Sequence, residues 1–208
     1  MTHTVTRKTP RERLSCIVAG LCALATLVGS AHAAGAAFVR LPMVCSRGGQ
    51  QWFTANVTMP ESTAPGARIT VRVESLHSGR ISHFGLHYLY NMATDLRLSA
   101  GTTYVEGSAR VVPGTGTPNV SSSARISHDA AGIHMLLTAR VPNDSSYTPP
   151  TVEFDLMAVS EAPITVEFAH YAVMANAFLV GDIRTTCEPA ARPATIGTTR
   201  IVAPVATH

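Results

Sequence analysis

From Gln51 onward the chain repeats with a period of two: apolar and polar side chains alternate in short runs closed by Gly and Pro. That period puts successive side chains on opposite faces of an extended strand, so each run has one face to bury and one to wet. Phe53, Ala55, Val57 and Met59 share a face of the first run. After a turn over 60–66, Ile69, Val71 and Val73 share a face of the second, with Arg68, Thr70, Arg72 and Glu74 opposite. Further strands are predicted over 85–90, 93–98, 102–112, 120–127, 133–141, 152–159 and 164–180. Turn residues separate them at Ala100-Gly101, Pro113-Gly114-Thr115-Gly116, Ala131-Gly132, Pro142-Asn143-Asp144 and Pro149-Pro150. Strands at this spacing, with no convincing amphipathic helix, predict an all-β fold. The reading is an antiparallel immunoglobulin-like β-sandwich, with a β-barrel as the alternative. The stretch 168–179, rich in Ala and Met, also fits a helix; strand is the preferred reading.

What precedes the strands reads differently. A basic stretch to Arg13, an apolar run over 14–28 and the small-residue site Ala31-His32-Ala33 follow the plan of a secretory signal, with cleavage after Ala33. The apolar run is shorter than the roughly 20 residues a bilayer-spanning helix needs. Cys16 and Cys22 go with the leader, which leaves Cys45 and Cys187 as a pair in an oxidising compartment, and one disulfide is predicted between them. After Cys187 the composition turns to Ala, Pro and Thr, and the segment reads as a loose tail, with an added strand near 198–202 as the alternative. The chain therefore divides into a signal peptide (1–33), a disulfide-closed sandwich (34–188) and a flexible tail (189–208).

Charge narrows the function classes. Of 16 basic and 13 acidic residues, Arg7, Lys8, Arg11, Arg13 and Glu12 lie in the leader, so 12 Arg face 12 Asp and Glu in the remainder. A balanced chain lacks the electrostatic footprint of nucleic-acid or anionic-membrane binding. Lys8 is the only lysine, so after the leader there is no phosphate-loop lysine, no Schiff-base lysine and no Ser-x-x-Lys nucleophile. Gly-x-Ser-x-Gly is also absent, as are Cys-x-x-Cys and the Asp-x-Asp-x-Asp-Gly calcium loop.

Several phrases carry a resemblance: Ala100-Gly101-Thr102-Thr103-Tyr104-Val105-Glu106-Gly107-Ser108, Gly114-Thr115-Gly116-Thr117-Pro118, Tyr147-Thr148-Pro149-Pro150-Thr151, Leu179-Val180-Gly181 and Thr185-Thr186-Cys187. With them, residues 45–190 resemble a group of small secreted two-cysteine all-β proteins of uncharacterised function from high-GC Gram-positive bacteria. The resemblance implies a secreted fold of Thr- and Val-rich strands and implies no activity. The sequence departs from that group over 76–92, where His77, His83, His87, Tyr88 and Tyr90 concentrate imidazole and phenol side chains. That segment is the place to look for a ligand or partner surface.

Other constellations have bland readings. His83-x-x-x-His87 would share a helix face as zinc ligands do, but in a strand the two rings stand about 13 Å apart, so both read as polar positions on a half-exposed strand. Glu153 and Asp155 alternate with Val152, Phe154 and Leu156 and read as a solvated face rather than a calcium or glycosidase pair. His170, in step with Val166 and Phe168, reads as a hydrogen-bonded core histidine, and His134 as exposed. Trp52 faces away from Phe53 and Ala55, as a plug at the core edge or a stacking platform for a sugar or partner; packing is the preferred reading. The triplets at Asn56, Asn119 and Asn143 match the glycosylation acceptor, a pattern short enough to arise by chance.

These readings converge on an exported, non-catalytic binding or cell-envelope-associated module with an unknown envelope or extracellular partner. No cofactor, metal, nucleic acid or integral membrane span is expected. Met43, Met59, Met92, Met135, Met157 and Met174 motivate the alternative of a carrier for an apolar small molecule or lipid. A secreted hydrolase is the third reading, disfavoured by the missing motifs.

Overall fold

The computed structural model describes residues 34–76, 80–112, 124–146 and 148–203. The leader (1–33), His77, the turn over 113–116, the first residues of the strand expected over 120–127, Asn119, Tyr147 and the last five residues lie outside them. The described residues form strands β1 (Ala34–Cys45), β2 (Gln50–Pro60), β3 (Ser62–Thr63), β4 (Arg68–Ser75), β5 (Leu86–Leu98), β6 (Thr102–Tyr104) and β7 (Arg110–Val112). Then follow β8 (Ala124–Asp129), β9 (Gly132–Leu137), β10 (Val141–Pro142), β11 (Thr151–Ala158), β12 (Ile164–Ala177), β13 (Gly181–Pro189) and β14 (Thr195–Ile201). The fold is all-β, as the period of two predicts.

Hydrogen bonding runs without interruption through β6-β11-β4-β2-β1-β13-β12-β5-β9-β8. This long antiparallel ribbon folds back on itself into two layers, one of β1, β2, β4 and β11 with β6 and β7, the other of β13, β12, β5, β9 and β8. Inward-facing residues from both layers form the core: Val57, Val71, Phe154 and Leu156 from the first, Leu96, Ile133, Val166 and Phe168 from the second. Phe53 and Phe168 meet across it with ring centroids 4.2 Å apart. The ends of the ribbon also approach, Tyr104 of β6 stacking on His128 of β8 at 4.6 Å, so the sandwich is a nearly closed sheet.

The ladder passes from one layer to the other at a seam between β1 and β13, and β14, paired with β12, also pairs with β3 just beyond β2. β1 pairs with β2 from Ala34 to Val44 but with β13 only through Met43, Val44 and Cys45. Cys187 is the residue at which β13 leaves β12 (opposite Tyr171) and joins β1 (opposite Cys45). The predicted disulfide Cys45–Cys187 is present at that point.

Three expectations are corrected, and a fourth, the preferred strand reading of 168–179, holds to Ala177. The segment after Cys187 is not loose over its described part: β14 pairs with β12 along Ile164–Glu167, and Ala194 and Ile196 enter the core, so the folded domain continues past residue 189. The stretch 168–179 turns after Ala177. The runs 85–90 and 93–98 are one strand, β5, with Asn91 at φ 46° where its register against β12 shifts. The run 102–112 is two short strands along the same edge of β11, parted by a turn around Gly107 at φ 71°.

Candidate functional site

The sequence-derived surface residues divide between the two layers. Trp52 lies on the outer face of β2, half exposed, with the Arg40 guanidinium 4.1 Å from its ring centroid. It is therefore no plug of the core edge, and it shares an outer face with Phe38, also exposed. His83, His87, Tyr88 and Tyr90 belong to the second layer, and the fold does not bring Trp52 to them.

At that layer's end, three loop segments are tied together by backbone bonds. Ile81 N–H donates to Ser145 C=O (2.9 Å) and Asp144 N–H to Ile81 C=O (2.6 Å). The Asn143 amide brackets His83, accepting from its N–H and donating to its C=O, both at 3.1 Å. His83 thus lies in a turn ahead of β5, not on a strand with His87. Phe178 N–H then donates to Gly85 C=O at 2.6 Å, fastening the β12–β13 turn to the same end. Among the described residues no three His, Cys, Asp or Glu side chains converge as metal ligands do.

This end presents apolar side chains to solvent. Phe84 is 110% exposed relative to an extended reference, Leu179 91%, Val180 69% and Phe178 63%. Leu179 is held at φ 68°, a left-handed conformation uncommon for a leucine and strained. His87 stacks on Phe178 with centroids 5.9 Å apart. Farther along β5, Tyr88 and Tyr90 meet edge-on at 5.6 Å, and the Arg140 guanidinium covers Tyr88 at 4.6 Å. A hydrogen bond to the Asp182 carboxylate holds the Tyr90 phenol above its ordinary pKa. Bonds from Asn176 (2.8 Å) and then Tyr90 hold Asp182 below its own. The reading of period two missed Phe178, Leu179 and Val180 because it absorbed them into a strand. Their signal is a run of three large apolar residues abutting Gly181, where alternation stops.

A second cluster crosses the outer face of the same layer. Asp95 of β5 stands opposite His134 of β9 and His170 of β12, and its two oxygens lie 3.0 Å from the Nδ1 atoms of both rings. His134 Nε2 continues the row to Asp129 at 2.9 Å. The hydrogen bond to Asp129 raises the His134 pKa despite some burial, and the same bond lowers that of Asp129. Neither histidine has its expected place: His134 is half-buried and bonded, and a register shift after Phe168 turns His170 out of the core. Glu153 and Asp155 are no solvated face either. Arg72 and Arg110 hold Glu153, Arg68 and Thr70 hold Asp155, and both carboxylates are buried or nearly so.

Between the layers lies a void of about 20 Å³ lined by Phe53, Val73, Leu96, Ile133, Met135 and Val152, room for about one water molecule. An open groove of about 270 Å³ runs along the start of β1, floored by Val57, Met59 and Gly197.

No protein family and no characterised sequence matches the chain. Among solved structures it is similar to the full-length RrgB pilus protein of Streptococcus pneumoniae, at 12% identity and a TM-score of 0.37 over 54% of this chain and 18% of that one. It is also similar to the collagen-binding domain of the Erysipelothrix rhusiopathiae surface protein RspB, at 10% identity and a TM-score of 0.40 over 82% and 58%. A third likeness, to the collagen-binding domain of a Staphylococcus aureus adhesin, has 6% identity and a TM-score of 0.31 over 64% and 87%. Likeness at this level does not extend to ligand, partner or activity.

Proposed function

We propose that the protein is an exported, non-catalytic binding module of the cell envelope that engages its partner through the apolar end of the second layer. The observation that carries this reading is the group Phe84, Phe178, Leu179 and Val180, four large side chains left in water on a backbone pinned by inter-loop hydrogen bonds. Contiguous exposed apolar surface costs solubility and marks interaction sites. The small interior void supports a surface role over a carrier role, because an apolar ligand of ordinary size needs a cavity of roughly 300 Å³ or more. The disulfide supports an oxidising compartment, in keeping with the leader pattern of residues 1–33.

The test is fractionation of the producing cells. Wild-type protein is expected with the envelope fraction, and the Phe84→Ser/Leu179→Asn variant in the medium at the same melting temperature. Equal partition of the two proteins would refute a binding role for this end.

A further inference from the structure

Taking the apolar end as the binding surface, we propose that its partner is a lipid bilayer: Phe84, Phe178, Leu179 and Val180 insert into the interfacial zone while the sandwich stays in water. Four observations favour a bilayer over a shaped protein surface. The first is form. Phe178, Leu179 and Val180 are consecutive residues in a turn, so their side chains diverge around a tip, and Phe84 stands clear of the body. A diverging tip offers no flat face to a folded partner but suits a fluid one.

The second is charge. No Asp or Glu occurs between Glu74 and Asp95, or between Glu167 and Asp182. The two carboxylates that do stand near this end are engaged, Asp144 by Ser82 and Arg80 (2.8 and 3.5 Å) and Asp182 by Asn176 and Tyr90. Against these two carboxylates stand Arg80, paired with Asp144, Arg140 over Tyr88, and Arg184 on β13, an excess of one positive charge that suits anionic headgroups. The balanced charge of the whole chain does not register this local composition.

The third is banding. β5 leads away from the tip carrying His87, Tyr88 and Tyr90, with the phenols roughly 7–14 Å behind Leu86 at strand rise. Amphipathic rings behind an apolar tip occupy the depth at which aromatic residues anchor proteins to headgroups. The fourth is rigidity. The bond from Phe178 to Gly85 and the bracket of Asn143 around His83 hold the tip before any contact, so little ordering remains to oppose insertion. Among the described residues no helix is long and apolar enough to cross a membrane, and insertion of a tip requires none.

The test uses the whole protein with vesicles of phosphatidylcholine alone and of phosphatidylcholine mixed with phosphatidylglycerol. Wild type is expected to sediment with both, more strongly with the anionic vesicles, and Phe84→Ser/Leu179→Asn to lose binding by about ten-fold or more. A Trp52→Phe/Phe84→Trp reporter is expected to shift its emission to the blue on vesicle addition and to be quenched by brominated lipid. It decides the matter alone if the double variant does not fold. Absence of both sedimentation and blue shift overturns the bilayer. If wild type instead self-associates in the ultracentrifuge and the double variant does not, the bilayer is overturned while the end survives as a binding surface for a second copy. If vesicle binding, self-association and envelope retention are all absent, both readings fall.

Discussion

Asp155 is buried, yet it keeps its charge because its neighbours on β4 supply donors: Arg68 reaches Oδ2 through Nε (2.8 Å) and Nη2, and Thr70 Oγ1 donates to Oδ1 at 2.7 Å. Burial pushes the carboxyl upward, but Thr70 and Arg68 outweigh it, and the pKa lies below the ordinary aspartate value. Next on the strand face, Arg72 and then Arg110 lower Glu153, both at 2.5 Å. Lowered carboxylates bind protons less readily in the folded chain than in the unfolded one. Their contribution is therefore whole above the unfolded value near pH 4 and is lost as the pH falls through the folded values. Asp155→Asn is expected to cost about 1–3 kcal/mol at neutral pH, since Arg68 is half exposed and recovers solvent. Urea titrations of both proteins at neutral pH and near pH 3 check this. The gap should narrow in acid, and a gap independent of pH would show that shape, not charge, sets the cost. His134 has the opposite sign. Its raised pKa stabilises below the ordinary histidine value near 6.5, and the contribution is lost as the pH rises through the folded value.

At the scale of single elements, the β8–β9 hairpin shows how closely the second layer is packed. A Cβ built on Gly132, at φ 139°, would lie 1.9 Å from the Leu96 carbonyl oxygen of the neighbouring strand β5. Backbone cannot retreat as a flexible side chain can, so Gly132→Ala is expected to cost about 2–3 kcal/mol. Gly107, at φ 71° with nothing within 4 Å, faces only the conformational penalty, and Gly107→Ala should cost about 1 kcal/mol. Denaturant midpoints at constant m-value compare the two; equal losses would mean that conformation, not the approach to Leu96, dominates at Gly132. The elements that were legible in sequence are those where alternation meets strong hydrophobicity, such as β2 with Ala55, Val57 and Met59 and β4 with Ile69, Val71 and Val73. β1 opens on Ala34-Gly35-Ala36-Ala37, which has no alternation, and β14 was only the alternative reading of the tail, because its inner face on Ile196, Gly197 and Thr199 has too little apolar area to stand out. His170 was misread because the register shift after Phe168 exchanges the faces of the residues that follow, up to the next shift after Ala172, and no periodic template contains that shift. Alternation also placed Glu153 and Asp155 off the core face correctly. What engages them, Arg68, Thr70 and Arg72 of β4 and Arg110 of β7, is a tertiary fact with no local trace.

For the whole molecule, the continuous ladder crosses between the two layers at the β1–β13 seam, with β14 linking β12 to β3 as a second tie. β13 is shared between the layers, paired with β12 from Gly181 to Cys187 and with β1 from Cys187 to Pro189, and Cys45–Cys187 crosses where the partner changes. A bridge between residues 142 apart in sequence removes more freedom from the unfolded chain than any local bond, roughly 5 kcal/mol in the chain-entropy model, although measured losses run lower. Replacing both cysteines by alanine is expected to cost about 3–5 kcal/mol and to lower the melting temperature by roughly 6–15 °C. The loss should be concentrated in space. β1 keeps its full ladder with β2, and β13 keeps seven partners on β12, so the layers themselves persist. What opens is the three-residue pairing of Met43, Val44 and Cys45 with β13, and amide exchange should accelerate there and at Ser46, whose N–H donates to Thr186 C=O at 2.8 Å. The apolar end lies at the opposite end of β13, six residues from Cys187 at Gly181, and vesicle binding by the cysteine-free protein should match wild type below its melting temperature. Uniform acceleration across both layers would mean that the disulfide holds the sandwich together as a unit rather than clasping its seam.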